Sequence, residues 1–411
     1  MMLRINLRHI YLINKFSLAN FLFVMGVALA FYESLHPWFL WFLGPYAYLL
    51  TAFCLIGYVV LVNTVSEVPA INVKYLPPFI AYALIQICIF LVNPDATFMA
   101  FISIALQIAS FFVIFRADGE LLRNSMLLIS KSMAIILCFS IFGFVLYLVG
   151  YNLPYVDARY GEDLYSFSNY FLFLIDDRSL FVLIPRFQSV FLEPSHMAIA
   201  SVFLLMLDCG KWKRWYNIVH IVAVIISFSL EAYVLLFCLI FLSKWIQHKN
   251  FIRNLIIIIS LFLGVVIGSF YYQNGDNMFN SLIVMRLEME DGEVAGNNRT
   301  TGDFDAEYDN FINSSDVLFG RNMYDSFGNS GYKVFIYENG LVNLVLLFIF
   351  YAIILYNPQN KKAAFTAFVL TLIHFIVRAH MMWASCILPM YCMAQFFNNV
   401  ASGNKTYRTD D

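Results

Sequence analysis

From one end to the other, the chain alternates long apolar runs with polar breaks. The runs cover about 16–33, 39–63, 76–93, 97–115, 132–150, 190–208, 216–229, 231–246, 254–271, 338–356, 363–380 and 383–398. A helix rising about 1.5 Å per residue needs about 20 apolar residues to cross a bilayer core. None of the runs alternates with period two, so they read as helices and not as barrel strands. The pattern predicts an all-α integral membrane protein, a polytopic bundle of about 12 transmembrane helices in a single transmembrane domain over 1–411. The two short runs 216–229 and 231–246 read as a hairpin turning at Ser227, Ser229 and Glu231. Two breaks are long, 151–189 and 272–337. Connections beyond roughly 15 residues are usually functional or disordered. The first carries the aromatic stretch Tyr170-Phe171-Leu172-Phe173, for which an amphipathic interfacial helix is expected.

Composition makes lipid the solvent. Hydrophobic residues make up 61% of the chain and charged residues 13%, about half the charge of a soluble domain. A net charge of −2 supplies no basic field for nucleic acid. The cysteines all lie in apolar runs or at their ends, and the long polar loops contain none. No disulfide framework, metal site or cofactor motif is read from them. Arg4, Arg8 and Lys15 precede an apolar run ending near Ala28-Leu29-Ala30. That outline matches a signal peptide, but the basic region is long and another run follows at once, so retention as the first span is expected.

Charge sets the orientation. With both termini cytoplasmic and strict alternation, Arg4, Arg8, Lys15, Lys74, Arg116, Arg123, Lys131, Lys211, Lys213, Arg214, Lys244, Lys249, Arg253, Lys361, Lys362, Lys405 and Arg408 fall inside. That obeys the positive-inside rule and places both long loops outside the cytoplasm. The outer set is Arg159, Arg178, Arg186, Arg286, Arg299, Arg321, Arg378 and Lys333, almost all arginine. Arginine offers a planar fork that grips phosphate in two places. The two readings of this set are diphosphate recognition and ion pairing with outer carboxylates.

Three stretches combine groups that carry chemistry. Arg186-Phe187-Gln188-Ser189-Val190-Phe191-Leu192-Glu193-Pro194-Ser195-His196 leads into a helix whose first turn suits Pro194. Glu193, pushed out of helical geometry by the proline, would share a polar pocket with Arg186 and His196, or cap the helix. Leu318-Phe319-Gly320-Arg321 and Tyr337-Glu338-Asn339-Gly340 flank a glycine-bearing loop. Gly320 and Gly331 would permit close approach to a ligand, and Glu338 would act as a general base or a cap. His374 and Arg378 share a helix face, with His380 beyond them. Ionisable groups within a span usually face a cavity. Asp303-Phe304-Asp305 matches the pattern of metal-dependent sugar transferases but lies in an acidic loop on the outer side, away from nucleotide sugars.

Taken together, the segment 186–195, the serine-bearing hairpin, Arg299 with Leu318-Phe319-Gly320, and Tyr337-Glu338-Asn339-Gly340 resemble the O-antigen polymerase and O-antigen ligase superfamily, mainly over 180–345. The resemblance implies a multi-pass bacterial inner-membrane glycosyltransferase. Its substrates would be polyprenyl-diphosphate-linked oligosaccharides, without nucleotide, metal or other cofactor. A chain-length regulator and a flippase would be its partners. It assigns diphosphate binding to Arg186, Arg299, Arg321 and Arg378, and catalysis to Glu193, Glu338 and His196. Ligases of the superfamily use a histidine in the large outer loop. Here 272–337 has none, which favours a polymerase, with ligase and flippase as alternatives. Relatives also carry arginine near the hairpin serines, where this chain has Glu231.

Overall fold

A computed structural model describes residues 7–44, 46–63, 76–92, 97–161, 165–177, 185–246, 301–321, 331–378 and 382–397, with isolated positions between 253 and 294. The protein is mostly helical. Helices α1 (Leu7–Glu33), α2 (Tyr46–Asn63), α3 (Leu76–Val92), α4 (Phe98–Arg116) and α5 (Gly119–Leu148) come first. They are followed by α6 (Pro194–Met206), α7 (Trp215–Ile226) and α8 (Leu230–Ile246). After a polar region come α9 (Gly302–Ile312), α10 (Tyr332–Leu355), α11 (Lys361–Val377) and α12 (Ala384–Phe396). The described positions from 253 to 271 are helical too.

Helix α5 shows why this is a membrane-type bundle. Leu122, Met126, Ile129, Met133 and Leu137 form a buried stripe at helical spacing, while Leu128, Ile135, Phe139 and Phe142 are exposed on the other side. A helix apolar on every face needs an apolar surround. Phe53, 73% exposed, and Phe98, 76% exposed, repeat the pattern on α2 and α4.

The expected count of about twelve spans is not met. Among the described residues, three helices are long and apolar enough to cross a membrane: Phe98–Arg116, Gly119–Leu148 and Tyr332–Leu355. The physical reason is length. Apolar helices such as Pro194–Met206, Trp215–Ile226 and Ala384–Phe396 have 10–17 residues, so at about 1.5 Å per residue they fall short of a core about 30 Å thick. Two of them are wrapped by protein. In α6 every residue from Ser195 to Met206 is buried, and in α12 every residue from Ala384 to Ala394. The runs 216–229 and 231–246 are two helices and not one, with α7 and α8 separated at Ser227–Ser229.

The first long loop also departs from expectation. Instead of an interfacial helix it forms a three-stranded antiparallel sheet, β1 (Val156–Tyr160), β2 (Tyr165–Asn169) and β3 (Leu174–Asp176), in sequential order. The pattern in β2 is period two: Tyr165, Phe167 and Asn169 alternate with Ser166 and Ser168. The aromatic stretch becomes a turn, because the Asn169 side chain accepts from the Phe171 amide at 2.8 Å and Phe171 sits at φ 65°. Phe167, Leu174 and Leu192 form a small core under this sheet with Trp38, Trp41, Tyr160 and Tyr165 packed on it.

Within the bundle, α6 packs on α7, α8 and α12, and α11 packs on α8, α10 and α12. Four of these helices, α6, α8, α11 and α12, surround the polar cluster described next.

Candidate functional site

The site begins with the break before α6. Glu193 is the residue before the helix, in extended geometry at φ −136° and ψ 148°, and Pro194 opens the first turn. This is the restriction a proline imposes on its predecessor. It turns the Glu193 side chain away from the helix axis, toward the end of α11. Arg378 lies just past the last residue of α11, where its amide donates to the His374 carbonyl at 2.8 Å.

The Arg378 guanidinium joins three helix ends. Its Nη2 donates to Glu193 Oε2 at 3.0 Å and to Ser195 Oγ at 2.7 Å. Its Nη1 lies 3.4 Å from His196 Nε2, and arginine can only donate, so this nitrogen faces it as acceptor. On the opposite side, Nε lies 3.4 Å from Oε2 of Glu231, in the first turn of α8. Glu231 Oε1 meets His374 Nδ1 at 2.6 Å, and His374 Nε2 lies 3.5 Å from Cys386 Sγ on α12. The Glu231 and His374 side chains are each 2% exposed and that of Arg378 is 11% exposed.

One guanidinium therefore serves two carboxylates. Such a group is held in place rather than left on a flexible stem, and removing one member leaves an uncompensated buried charge. The charge count is −1 with a neutral His374 ring and zero with a protonated one. A further anion would reach Arg378 only by displacing a carboxylate.

Glu193 has further partners. Tyr165, from the sheet, donates to Oε1 at 2.9 Å, and Ser195 donates to Oε2 at 2.9 Å. Burial opposes its ionisation, but the Arg378 guanidinium and the two hydroxyls hold its carboxyl below the ordinary carboxylate range. In this arrangement Glu193 is an anion and a hydrogen-bond acceptor. It becomes a better proton acceptor when Arg378 turns away.

Arg186 meets the turn that leads into Glu231. Its Nε donates to the Ser227 carbonyl at 3.2 Å, at the C-terminal end of α7, where a cation suits the helix dipole. The short turn between α7 and α8 thus carries the Arg186 contact at one end and Glu231 at the other.

Arg321 and Glu338 lie elsewhere. Arg321 Nε meets Asp316 at 2.6 Å and its Nη1 meets Glu307 at 2.8 Å, while its guanidinium lies 5.6 Å from the centre of the Phe311 ring. Its amide donates to the Tyr337 carbonyl at 2.7 Å. This docks the loop on α10, and Phe304, Tyr308, Phe311 and Tyr337 form a small core there. Glu338 is half-buried just before a break in α10 at Gly340, which has φ 73° and ψ 173°. The glycines expected to approach a ligand approach backbone instead. A Cβ on Gly320 would overlap the carbonyl of Glu338, one on Gly340 would overlap that of Leu318, and one on Gly331 would press on the Ile376 carbonyl at 3.2 Å. The reason is mutual: 318–320 and 338–340 lie against each other, so neither can carry a side chain at the crossing.

The acidic pair Asp303 and Asp305 occupies the first turn of α9, where carboxylates are favoured, and Asp305 pairs with Lys333 at 2.7 Å. Among the described residues, no group of three His, Cys, Asp or Glu side chains stands close enough to hold a metal ion. Arg299, Arg178, Arg286 and His380 lie outside the described residues.

The structure therefore brings Glu193, His196 and Arg378 together, places Arg186 near the same turn, and puts Arg321 and Glu338 at a separate contact. Sequence reasoning missed Glu231 as a member of the cluster. The signal was there: a carboxylate between two apolar runs, opposite a span end carrying His374 and Arg378. No family model, curated protein or solved structure matches this chain.

Proposed function

We propose that this protein is a glycosyltransferase of the bacterial inner membrane that joins polyprenyl-diphosphate-linked oligosaccharides into a polysaccharide of the O-antigen or capsule type. The observation that carries this reading is the Glu193–Arg378–His196 cluster at the start of α6, in which Glu193 lies in the segment that resembles the polymerase and ligase superfamily.

The chemistry asks little of a cofactor. A sugar hydroxyl oxygen attacks the anomeric carbon of the donor, the bond from that carbon to the diphosphate oxygen breaks, and the lipid diphosphate leaves with the electron pair. The hydroxyl proton passes to Glu193 or departs with the diphosphate. The transition state has oxocarbenium character, so its demands are a fixed carboxylate near the sugar and fixed cations near the leaving group. Glu193 fits the first role, with His196 beside it to hydrogen-bond the substrate and Glu338 as a second carboxylate at the loop contact. Arg186 and Arg299 fit the second. Arg378 takes part when the incoming diphosphate replaces a carboxylate, which also frees Glu193 to accept a proton. Arg321, ion-paired with Glu307 and Asp316 at the loop contact, is a further candidate for the same anion.

The test is charge-conserving substitution in cells. Arg186→Lys, Arg299→Lys and Arg378→Lys are scored by the length distribution of the surface glycan. Loss of long chains with single units retained supports the polymerase. Unaltered ladders in all three remove these arginines from the mechanism. Polymer stalled on its carrier points to a ligase. One observation favours a second reading: α10 is interrupted at Gly340, and interrupted spanning helices are characteristic of transporters. Units stalled on the inner leaflet would support that flippase reading.

A further inference from the structure

A cavity of about 110 Å³ lies between α1, α2, α3, α4 and the start of α12, next to the cluster but not part of it. Its polar lining includes Glu33 at the end of α1 with Ser34 and His36 after it, Tyr48 and Thr51 on α2, and Gln107 and Ser110 on α4. Tyr82 and Trp383 give it aromatic walls. Two of its polar atoms have no protein partner: Glu33 Oε1 and Thr51 Oγ1 are both buried without a hydrogen bond, and Thr51 is only 5% exposed. Buried polar groups are normally satisfied, so a ligand or water that meets them is built into the design of the space.

The lining selects the ligand. Among the described residues around it there is no Lys or Arg, so no fixed cation compensates a phosphate. A bare cation needs an oxygen cage of about 2–2.5 Å radius, far tighter than this volume. A lipid tail would leave Glu33 and Thr51 unmet. The volume holds roughly seven to ten waters, about what one pyranose ring displaces. A pyranose also offers what these walls accept: several hydroxyl donors for a carboxylate, an amide and a threonine, and an apolar ring face for aromatics.

Trp383 links this space to the cluster. Its ring meets His36, a cavity residue, edge-on at 5.6 Å, and His196 edge-on at 4.9 Å. The same side chain thus walls both the cavity and the site. Tyr160 of the sheet reaches His36 Nδ1 at 3.2 Å, as Tyr165 reaches Glu193.

We infer that this cavity is a subsite for one uncharged sugar ring, delivering a saccharide hydroxyl toward Glu193 past Trp383. The delivery role rests on the glycosyltransferase reading, whereas sugar binding stands on the cavity alone. The experiment uses the full-length protein in lipid nanodiscs without any lipid-linked donor. Saturation-transfer NMR is recorded with four probes: the methyl pyranosides of glucose, galactose, mannose and N-acetylglucosamine. Saturable transfer to at least one is expected. Glu33→Gln and Thr51→Val should each weaken that binding about threefold, as befits loss of one neutral hydrogen bond. Ser110→Phe, which fills the space, should abolish it. Thermal midpoints verify that each variant is folded, and the milder Thr51→Val keeps the test alive if Ser110→Phe is not.

Absence of transfer from all four probes overturns the inference. So does binding unchanged in both Glu33→Gln and Thr51→Val, which would put the sugar elsewhere. Stabilisation by sodium chloride over an equal concentration of choline chloride, without glycoside binding, overturns it in favour of a cation. None of these results touches the glycan-length test of the arginines, so the two readings fail separately.

Discussion

Arg378 offers the sharpest test of the cluster, because its replacement acts on two carboxylates at once, Glu193 half-buried and Glu231 buried. Arg378→Met keeps the length of the side chain and removes its charge. The guanidinium stands 3.0 Å from Glu193 and 3.4 Å from Glu231, whose side chains are 23% and 2% exposed. Removing one partner of a buried ion pair costs about 3–5 kcal/mol. Glu193 retains some water and Glu231 retains His374, so the lower end applies, about 3 kcal/mol. Each kcal/mol moves the midpoint by about 2–4 °C for chains of 150–250 residues and by less for longer ones. A fall of about 5 °C is therefore expected in thermal unfolding of the purified protein in nanodiscs. Arg378→Lys, which keeps the charge but loses the fork, should fall by about half as much. The second arm concerns sign. Replacing both partners of a buried pair by apolar groups is often neutral or stabilising, so Arg378→Met with Glu231→Leu should be more stable than the sum of the two single changes implies. A midpoint for Arg378→Met within about 1 °C of wild type, or strict additivity in the double variant, would refute the view that the charges are coupled.

Other outcomes follow from the same geometry. Glu193 has its folded carboxyl value depressed, so its stabilising contribution is complete above the ordinary carboxylate value of about 4.3 and is lost as pH falls through the folded value. Glu193→Gln should therefore lose less stability than wild type between about pH 5 and pH 3, measured as thermal midpoints against pH. Gly320→Ala and Gly340→Ala place a Cβ against backbone at φ 90° and 73°. Each should cost at least about 1–3 kcal/mol and raise the rate of proteolysis within 301–331. Gly302→Ala has nothing within 4 Å of the new Cβ and should change the midpoint by no more than about 0.5 kcal/mol equivalent. Arg321→Ala should cost less than about 1 kcal/mol in thermal unfolding, because its ion pairs with Glu307 and Asp316 are solvent-accessible.

Much of the helical plan was legible in hydrophobicity. The runs at 76–93, 97–115 and 216–246 coincide closely with α3, α4 and the α7–α8 pair, because long apolar runs with polar ends leave little choice of element. Spanning was less legible. An apolar run reports that a segment avoids water, but α6 and α12 avoid it by burial among other helices. The sheet over 156–176 was hidden by its aromatics, which suggested an interfacial helix until Asn169 and Phe171 formed their turn. Within the candidate site, Glu193-Pro194 announced its own geometry through local sterics. Glu231 meeting His374, and Gly320 meeting Gly340, are contacts between distant segments that no local pattern encodes.

The crossing of 318–320 with 338–340 has a consequence for engineering. The polar region from 301 onward is registered against α10 backbone to backbone, with the Arg321 amide on the Tyr337 carbonyl. A foreign loop spliced in before residue 331 would arrive without the matching groove. Chimeras that exchange specificity should be cut beyond Leu355, so that loop and helix travel as one cassette.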